Sequence, residues 1–180
     1  MNAGYLRRMV CVFGLAALAG GCGLFEEKKP PPPCPPIFVL KDAGKLTRYK
    51  PSSGNDITDI LFQGNVIDFR GFCEYNKPRT EVEITLSIAF EIQRGPANTN
   101  RKADFGYFIA IPKFHPAPQG KKVFPLNTVF EDNTTRARLT DEISLTIPLD
   151  RTVRRSEYGI YIGFDLTQDE LKDNQAGRRF

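Results

Sequence analysis

The sequence predicts an all-β fold, an antiparallel β-sandwich of about seven or eight strands, and three observations carry that reading. Val82, Ile84, Leu86, Ile88, Phe90 and Ile92 take every second position, while Glu81, Glu83, Thr85, Ser87, Glu91 and Gln93 fill the gaps. That is a period of two and not 3.6. The strand so described has one dry and one wet face, as antiparallel sheets do and parallel ones seldom do. Finally, short apolar runs recur along the chain between turn residues, with no long helical period among them. A small closed β-barrel is the alternative arrangement of the same strands.

In chain order, residues 37–40 (IFVL) directly follow a proline run and fit an edge strand. Residues 41–55 are polar, and Pro51-Ser52-Ser53-Gly54-Asn55 reads as a turn or loop. Residues 57–62 are expected to begin the next extended segment, with a bulge or bend at Gly64-Asn65. From Val66 the pattern alternates, so that Ile67, Phe69, Gly71, Cys73 and Tyr75 face the core, and Asp68, Arg70 and Glu74 face water. The polar turn at 76–80 (NKPRT) leads into the strand of residues 81–93 as an antiparallel hairpin. Residues 95–101 (GPANTNR) form a loop, and residues 105–111 (FGYFIAI), apolar on both faces, fit a central strand.

A Pro-, Gly- and Lys-rich crossover at 112–122 precedes a strand at 123–130. After a turn at 131–134, residues 136–140 lead into the alternating Ile143, Leu145, Ile147 and Leu149. The last strand points Tyr158, Ile160, Ile162, Phe164 and Leu166 inward. Thr167-Gln168-Asp169-Glu170 is a capping-box pattern, which opens a short helix to about Asp173 before a loose tail at 174–180. The domain thus spans 37–166, with the helical turn and tail at 167–180. Ile147-Pro148-Leu149 followed by Glu157-Tyr158-Gly159-Ile160-Tyr161 resembles the Leu-x-x-x-Tyr corner of fibronectin-III and immunoglobulin-like domains. That resemblance implies a Tyr hydroxyl tied back to backbone.

Ahead of the domain, Arg7 and Arg8 precede eleven apolar or small residues at 9–19, and Gly20-Gly21 lead into Cys22. This is the pattern of a secretory signal, whose apolar core is shorter than the roughly 20 residues of a membrane-crossing helix. Leu18-Ala19-Gly20-Gly21-Cys22 resembles the lipobox of bacterial lipoproteins, with Ala19 where that family usually has Leu. The resemblance implies removal of residues 1–21, acylation of Cys22, and attachment to a membrane through the acyl chains. Ordinary signal cleavage after Ala17-Leu18-Ala19 and an uncleaved signal anchor are the alternatives. Because Gly23 and not Asp follows the cysteine, the same resemblance implies the outer membrane, facing the periplasm, over the inner membrane. The chain as a whole resembles envelope lipoproteins of Gram-negative bacteria.

Residues 22–36 read as a lipid-anchored tether. The run GLFEEKKPPPPCPP builds no core and favours a semi-rigid polyproline II rod of about 3.1 Å per residue. Cys11 leaves with the signal and Cys22 is taken by lipid, so Cys34 and Cys73 remain as an even pair in an oxidising compartment. A Cys34–Cys73 disulfide is expected, with two free thiols or an intermolecular bridge as the alternatives.

The candidate chemistry is sparse. His115 is the only histidine, and no partner for catalysis or metal binding lies near it in sequence. Glu81, Glu83 and Glu91 share the wet face of their strand, where a solubilising role is expected over cation binding. Nucleophile elbow, P-loop, dinucleotide fingerprint and paired-cysteine zinc spacing are all absent from the sequence. These observations assign no catalytic residue, no metal ligand and no cofactor. Formal charge is +4, and +2 once Arg7 and Arg8 leave with the signal. The basic groups Lys121-Lys122, Arg136/Arg138, Arg151/Arg154/Arg155 and Arg178-Arg179 fit a solvated surface, with attraction to anionic lipid or an acidic polymer as the alternative. Nucleic-acid binding is not expected, because no aromatic-plus-basic motif is present. The expected function is that of a non-catalytic, membrane-anchored module that binds an envelope protein or supports an assembly. Carriage of a small apolar ligand or lipid in the periplasm is the alternative.

Overall fold

The computed structural model describes residues 32–51 and 56–177. The expected signal segment, Cys22, most of the expected proline tether, residues 52–55 of the expected turn or loop, and residues 178–180 with Arg178-Arg179 lie outside these residues. The described chain runs β1 (Ile37–Val39), β2 (Lys45–Tyr49), β3 (Ile60–Tyr75), β4 (Glu81–Arg94), β5 (Lys102–Ala110), β6 (Lys121–Val129), β7 (Arg136–Pro148), β8 (Ile160–Phe164) and helix α1 (Gln168–Gln175). The strands form two four-stranded sheets, ordered β1-β8-β5-β6 and β2-β3-β4-β7. All pairs are antiparallel except β1 with β8. The protein is an all-β sandwich, and neither sheet closes into a barrel.

The core lies where the periodicity placed it. Val82, Ile84, Leu86, Ile88, Phe90 and Ile92 are all buried on the inner face of β4. Opposite them stand Phe105, Tyr107 and Ile109 of β5 and Ile160, Ile162 and Phe164 of β8. Phe90 is the hub, with ring centroids 5.9 Å from Phe105, 5.0 Å from Tyr107 and 5.6 Å from Phe164. As expected from its two apolar faces, β5 is central in its sheet, between β8 and β6. The 112–122 segment is no crossover: it joins β5 to its neighbour β6 as a long hairpin connection through two 3-10 turns.

Besides a 3-10 turn at Ile57–Asp59, where an extended segment was expected and which delays the start of β3 to Ile60, the structure corrects the reading of residues 41–75 in three places. First, residues 45–49 are a strand that pairs with the start of β3. Second, the bulge in β3 lies between Val66 and Asp68 and not at Gly64-Asn65. Gly64 has a different role, since a Cβ there would sit 2.9 Å from Cζ of Phe164 and 3.1 Å from Cδ1 of Ile92. Third, Ile67 is 45 % exposed, because the bulged residue does not share the inner face with Phe69, Cys73 and Tyr75.

The expected helix forms with its capping box: the Thr167 hydroxyl accepts from the Glu170 N–H, and the Glu170 carboxylate accepts from the Thr167 N–H. It runs to Gln175 and not to Asp173. Asn174, expected in a loose tail, donates to the carbonyls of Asp42 and Lys45 at 2.8 and 2.9 Å. Glu170 also accepts from Nε of Arg48 at 2.6 Å, so helix and β2 hold each other in place.

Cys34 and Cys73 are disulfide-bonded, with Cα atoms 5.9 Å apart. The bond fixes the segment before β1 to the inner side of β3. Beside it, the Tyr75 hydroxyl donates to the Pro33 carbonyl at 2.7 Å. Closing a loop with a sequence separation of 39 residues stabilises by about 4 kcal/mol through the lost entropy of the unfolded chain. The paired Cys34→Ser/Cys73→Ser variant should therefore unfold at a clearly lower guanidinium concentration. An unchanged midpoint would show that the bond adds nothing to the fold.

Candidate functional site

β7 is the longest edge strand of the described domain, with 13 residues. β7 ends its sheet, with β4 on one side and no strand on the other. The backbone bonds that flank the β4–β7 ladder fix which groups face outward. Arg94 N–H donates to the Thr135 carbonyl at 2.8 Å, and Leu149 N–H donates to the Thr80 carbonyl at 2.7 Å. Since bonding alternates along an antiparallel ladder, odd-numbered residues of β7 bond to β4. The N–H and C=O groups of Arg136, Arg138, Thr140, Glu142, Ser144 and Thr146 therefore point away from the sheet. Pro148, which has no N–H to offer, holds the last outward position.

The neighbouring edge of β6 is built differently. Phe130 N–H donates to Arg101 at 2.8 Å and Ile111 N–H to Gly120 at 2.9 Å, so odd-numbered residues of β6 face outward. Pro125 falls among them and interrupts the edge in its middle. The other edge strands, β1 and β2, are three and five residues long. A long unguarded edge invites another strand, whereas short or proline-broken edges do not.

The side chains of β7 alternate across this edge. Arg136, Arg138, Thr140, Glu142, Ser144 and Thr146 are exposed, and Ala137, Leu139, Asp141, Ile143 and Leu145 are half-buried on the inner face. Asp141 is thus a carboxylate among apolar neighbours. It accepts a hydrogen bond from the Tyr107 hydroxyl at 2.6 Å, across the two sheets. Tyr107 is fully buried and stacks on Phe124 at 5.1 Å. Burial first, and the Asp141 carboxylate second, hold the Tyr107 hydroxyl protonated far above its ordinary range. The pair is structural: it satisfies an inward charge on an edge strand.

Beside β7, a groove is lined by Asp68, Arg70, Ser87, Ala89 and Thr140, together with Phe69, whose side chain packs against the core. Arg70 lies 3.7 Å from Asp68, and both are largely exposed, so the pair adds little stability. The other sheet carries an apolar outer patch in which Phe38, 46 % exposed, stacks on Tyr161 at 5.4 Å. Nζ of Lys121 covers part of that patch, 4.6 Å from the Phe108 ring centre.

The remaining sequence candidates do not come together. His115 is exposed in the loop between the two 3-10 turns. Glu91 is held by Arg138 at 3.1 Å, well along β4 from Glu81 and Glu83. Among the described residues no group of three His, Cys, Asp or Glu side chains could hold a metal ion. Cys22 lies outside the described residues. The anticipated tyrosine tie does form: the Asp150 N–H donates to the Tyr158 hydroxyl at 2.8 Å. Sequence reasoning missed the Tyr107–Asp141 pair and the outward row of β7. The signal for the first was a carboxylate at an inward place between Leu139 and Ile143.

The chain matches no protein-family model, no curated protein and no solved structure.

Tyr107 gives a pH test. In the unfolded chain its hydroxyl ionises near pH 10, whereas in the folded protein it stays protonated at higher pH. Its contribution to stability is therefore complete below about pH 10 and is lost as pH rises above that. Urea midpoints should be level through pH 9 and then fall, and Tyr107→Phe should fall less steeply. Tyr75, also raised by burial, accounts for part of the remaining slope. At pH 7 the same substitution should cost about 1–3 kcal/mol, because Asp141 loses its donor. A variant with wild-type stability at pH 7 and the full alkaline fall would contradict this account.

Proposed function

We propose that this chain is a non-catalytic envelope lipoprotein, held by acyl chains on Cys22 at the outer membrane facing the periplasm. Its domain binds a protein partner in the envelope and serves as an assembly module. The observation that carries the binding role is the free edge of β7, whose outward backbone groups run from Arg136 to Thr146 without a proline. An incoming strand would take up those hydrogen bonds, and the exposed row of Arg, Thr, Glu and Ser would select it.

Two further features support the location. The Cys34–Cys73 bond suits an oxidising compartment. The chain enters the domain at Pro33, beside Tyr75, and Arg155 lies 5.9 Å from the Tyr75 ring centre. Arg151 donates to the Pro78 carbonyl at the same end of the sandwich. These cations suit attraction to an anionic lipid surface. A ligand carrier would instead hold its cargo between the sheets, where Phe90, Phe105, Tyr107 and Phe164 already pack against one another. That packing favours protein binding over carriage.

Metabolic palmitate labelling should mark the wild-type chain and leave Cys22→Ala unmarked and released from the membrane fraction. A photo-crosslinking side chain at Ser144 should give a discrete protein adduct in cells, and one at Asn127 on β6 should not. An unlabelled wild-type chain would remove the anchor from this reading. Absence of an adduct at Ser144 would remove the binding role of β7.

A further inference from the structure

We propose that the strand taken up by β7 is the β7 of a second copy, paired antiparallel about a two-fold axis through Thr140. Two four-stranded sheets would then join into one continuous sheet. This inference rests on the reading of β7 as the binding edge and names its occupant.

The charge pattern of the strand selects both occupant and register. Residues 136, 138, 140, 142 and 144 carry outward N–H and C=O groups, so an axis at Thr140 sets them opposite one another as hydrogen-bonded pairs. In that register Arg138 of each copy faces Glu142 of the other, Arg136 faces Ser144, and the two Thr140 side chains meet on the axis. Opposite-charge and Thr–Thr cross-strand pairs are favourable, and like charges directly opposed are not. Arg138 sends Nε and Nη2 to its own Glu91, which leaves Nη1 of its fork for the second copy's Glu142. The Arg138 side chain is 74 % exposed before pairing, so no buried charge has to be uncovered first.

Neighbouring registers fail on charge or on length. An axis at Asp141 sets that half-buried carboxylate against its own copy. At Glu142 two glutamates oppose, and at Arg138 two arginines oppose. An axis at Leu139 survives the charge criterion, with Arg136 facing Glu142. It shortens the shared strand from residues 136–144 to residues 136–142, however, and so loses hydrogen bonds. A two-fold interface of this kind is closed, which keeps edge pairing from running on into fibres.

Sedimentation equilibrium of the full chain in detergent should show a reversible dimer. Glu142→Arg sets arginines against each other, and Arg138→Glu sets glutamates against each other. Each should raise the dissociation constant about ten-fold or more, and the two together should bring it back toward wild type. Because Arg138→Glu also removes the contact with Glu91, the register has an independent test. Under mild oxidation Thr140→Cys should form an intermolecular disulfide, and Ser144→Cys, which faces residue 136, should not. A chain that stays monomeric at every concentration, or a bridge at 144 in place of 140, overturns the proposal. A monomer that still crosslinks through Ser144 to a different envelope protein would overturn the dimer alone and leave the binding role of β7 standing.

Discussion

The inner face of β4 has to be kept from water along its whole length, on a strand whose two edges are already bonded to β3 and β7. Only a second layer can cover it, and β5 and β8 supply that layer through Phe105, Tyr107, Ile109, Ile160, Ile162 and Phe164. The two layers are unequal. β3, β4 and β7 have 16, 14 and 13 residues, whereas β5 and β8 have 9 and 5. Beyond the end of β5 the inner surface is closed by connections, where Leu149, Tyr158, Phe114 and Tyr75 join the core. The disulfide lies at this end, as does the tie between Tyr158 and Asp150. Cross-links thus gather where sheet-on-sheet packing runs out.

The bulge in β3 is what makes the covalent link reachable. Before it, Ile60, Phe62 and Gly64 are the buried positions; after it, Phe69, Gly71, Cys73 and Tyr75 continue the inward row. An unbroken strand would keep even-numbered residues inward and would turn Cys73 to the outer face, away from Cys34. One extra residue, Ile67, shifts the alternation at the cost of its own exposure. Gly71 lies two places before Cys73, and a Cβ there would collide with Cδ1 of Ile37. The close approach of β1 to β3 therefore depends on glycine at that position.

Much of this was legible in the sequence, for definite reasons. β4 and the second half of β3 bury one side each, and a period of two records that directly. The pairing of Cys34 with Cys73 followed from counting cysteines. β2 was illegible because only Leu46 of its five residues is buried. Its place is set by β3 and by Arg48–Glu170 and Asn174–Lys45, contacts more than 120 residues apart in sequence. Which groups of β7 face outward was equally hidden, since hydrogen-bond alternation leaves no trace in composition. Cys22, on which the proposed anchor rests, lies outside the described residues and is read from sequence alone.

Asp141 shows how the fold reconciles two demands on β7. An inward charge on an edge strand normally discourages further pairing, because burying it is unfavourable unless it is met. Here the Tyr107 hydroxyl meets it from the opposite sheet, so the charge stays on the inner face at little cost. The N–H and C=O groups of Asp141 go to β4, and the outward groups of Thr140 and Glu142 remain open. The edge is therefore not blocked but restricted: a strand can pair with it only in registers that place no acid against Asp141 or Glu142. Pro148 closes the run at one end, and Pro125 denies the same opportunity to β6. Among the described residues the other edges are short or broken by proline, so the long edge of β7, with a charge filter beside it, is the one on which the proposed recognition rests.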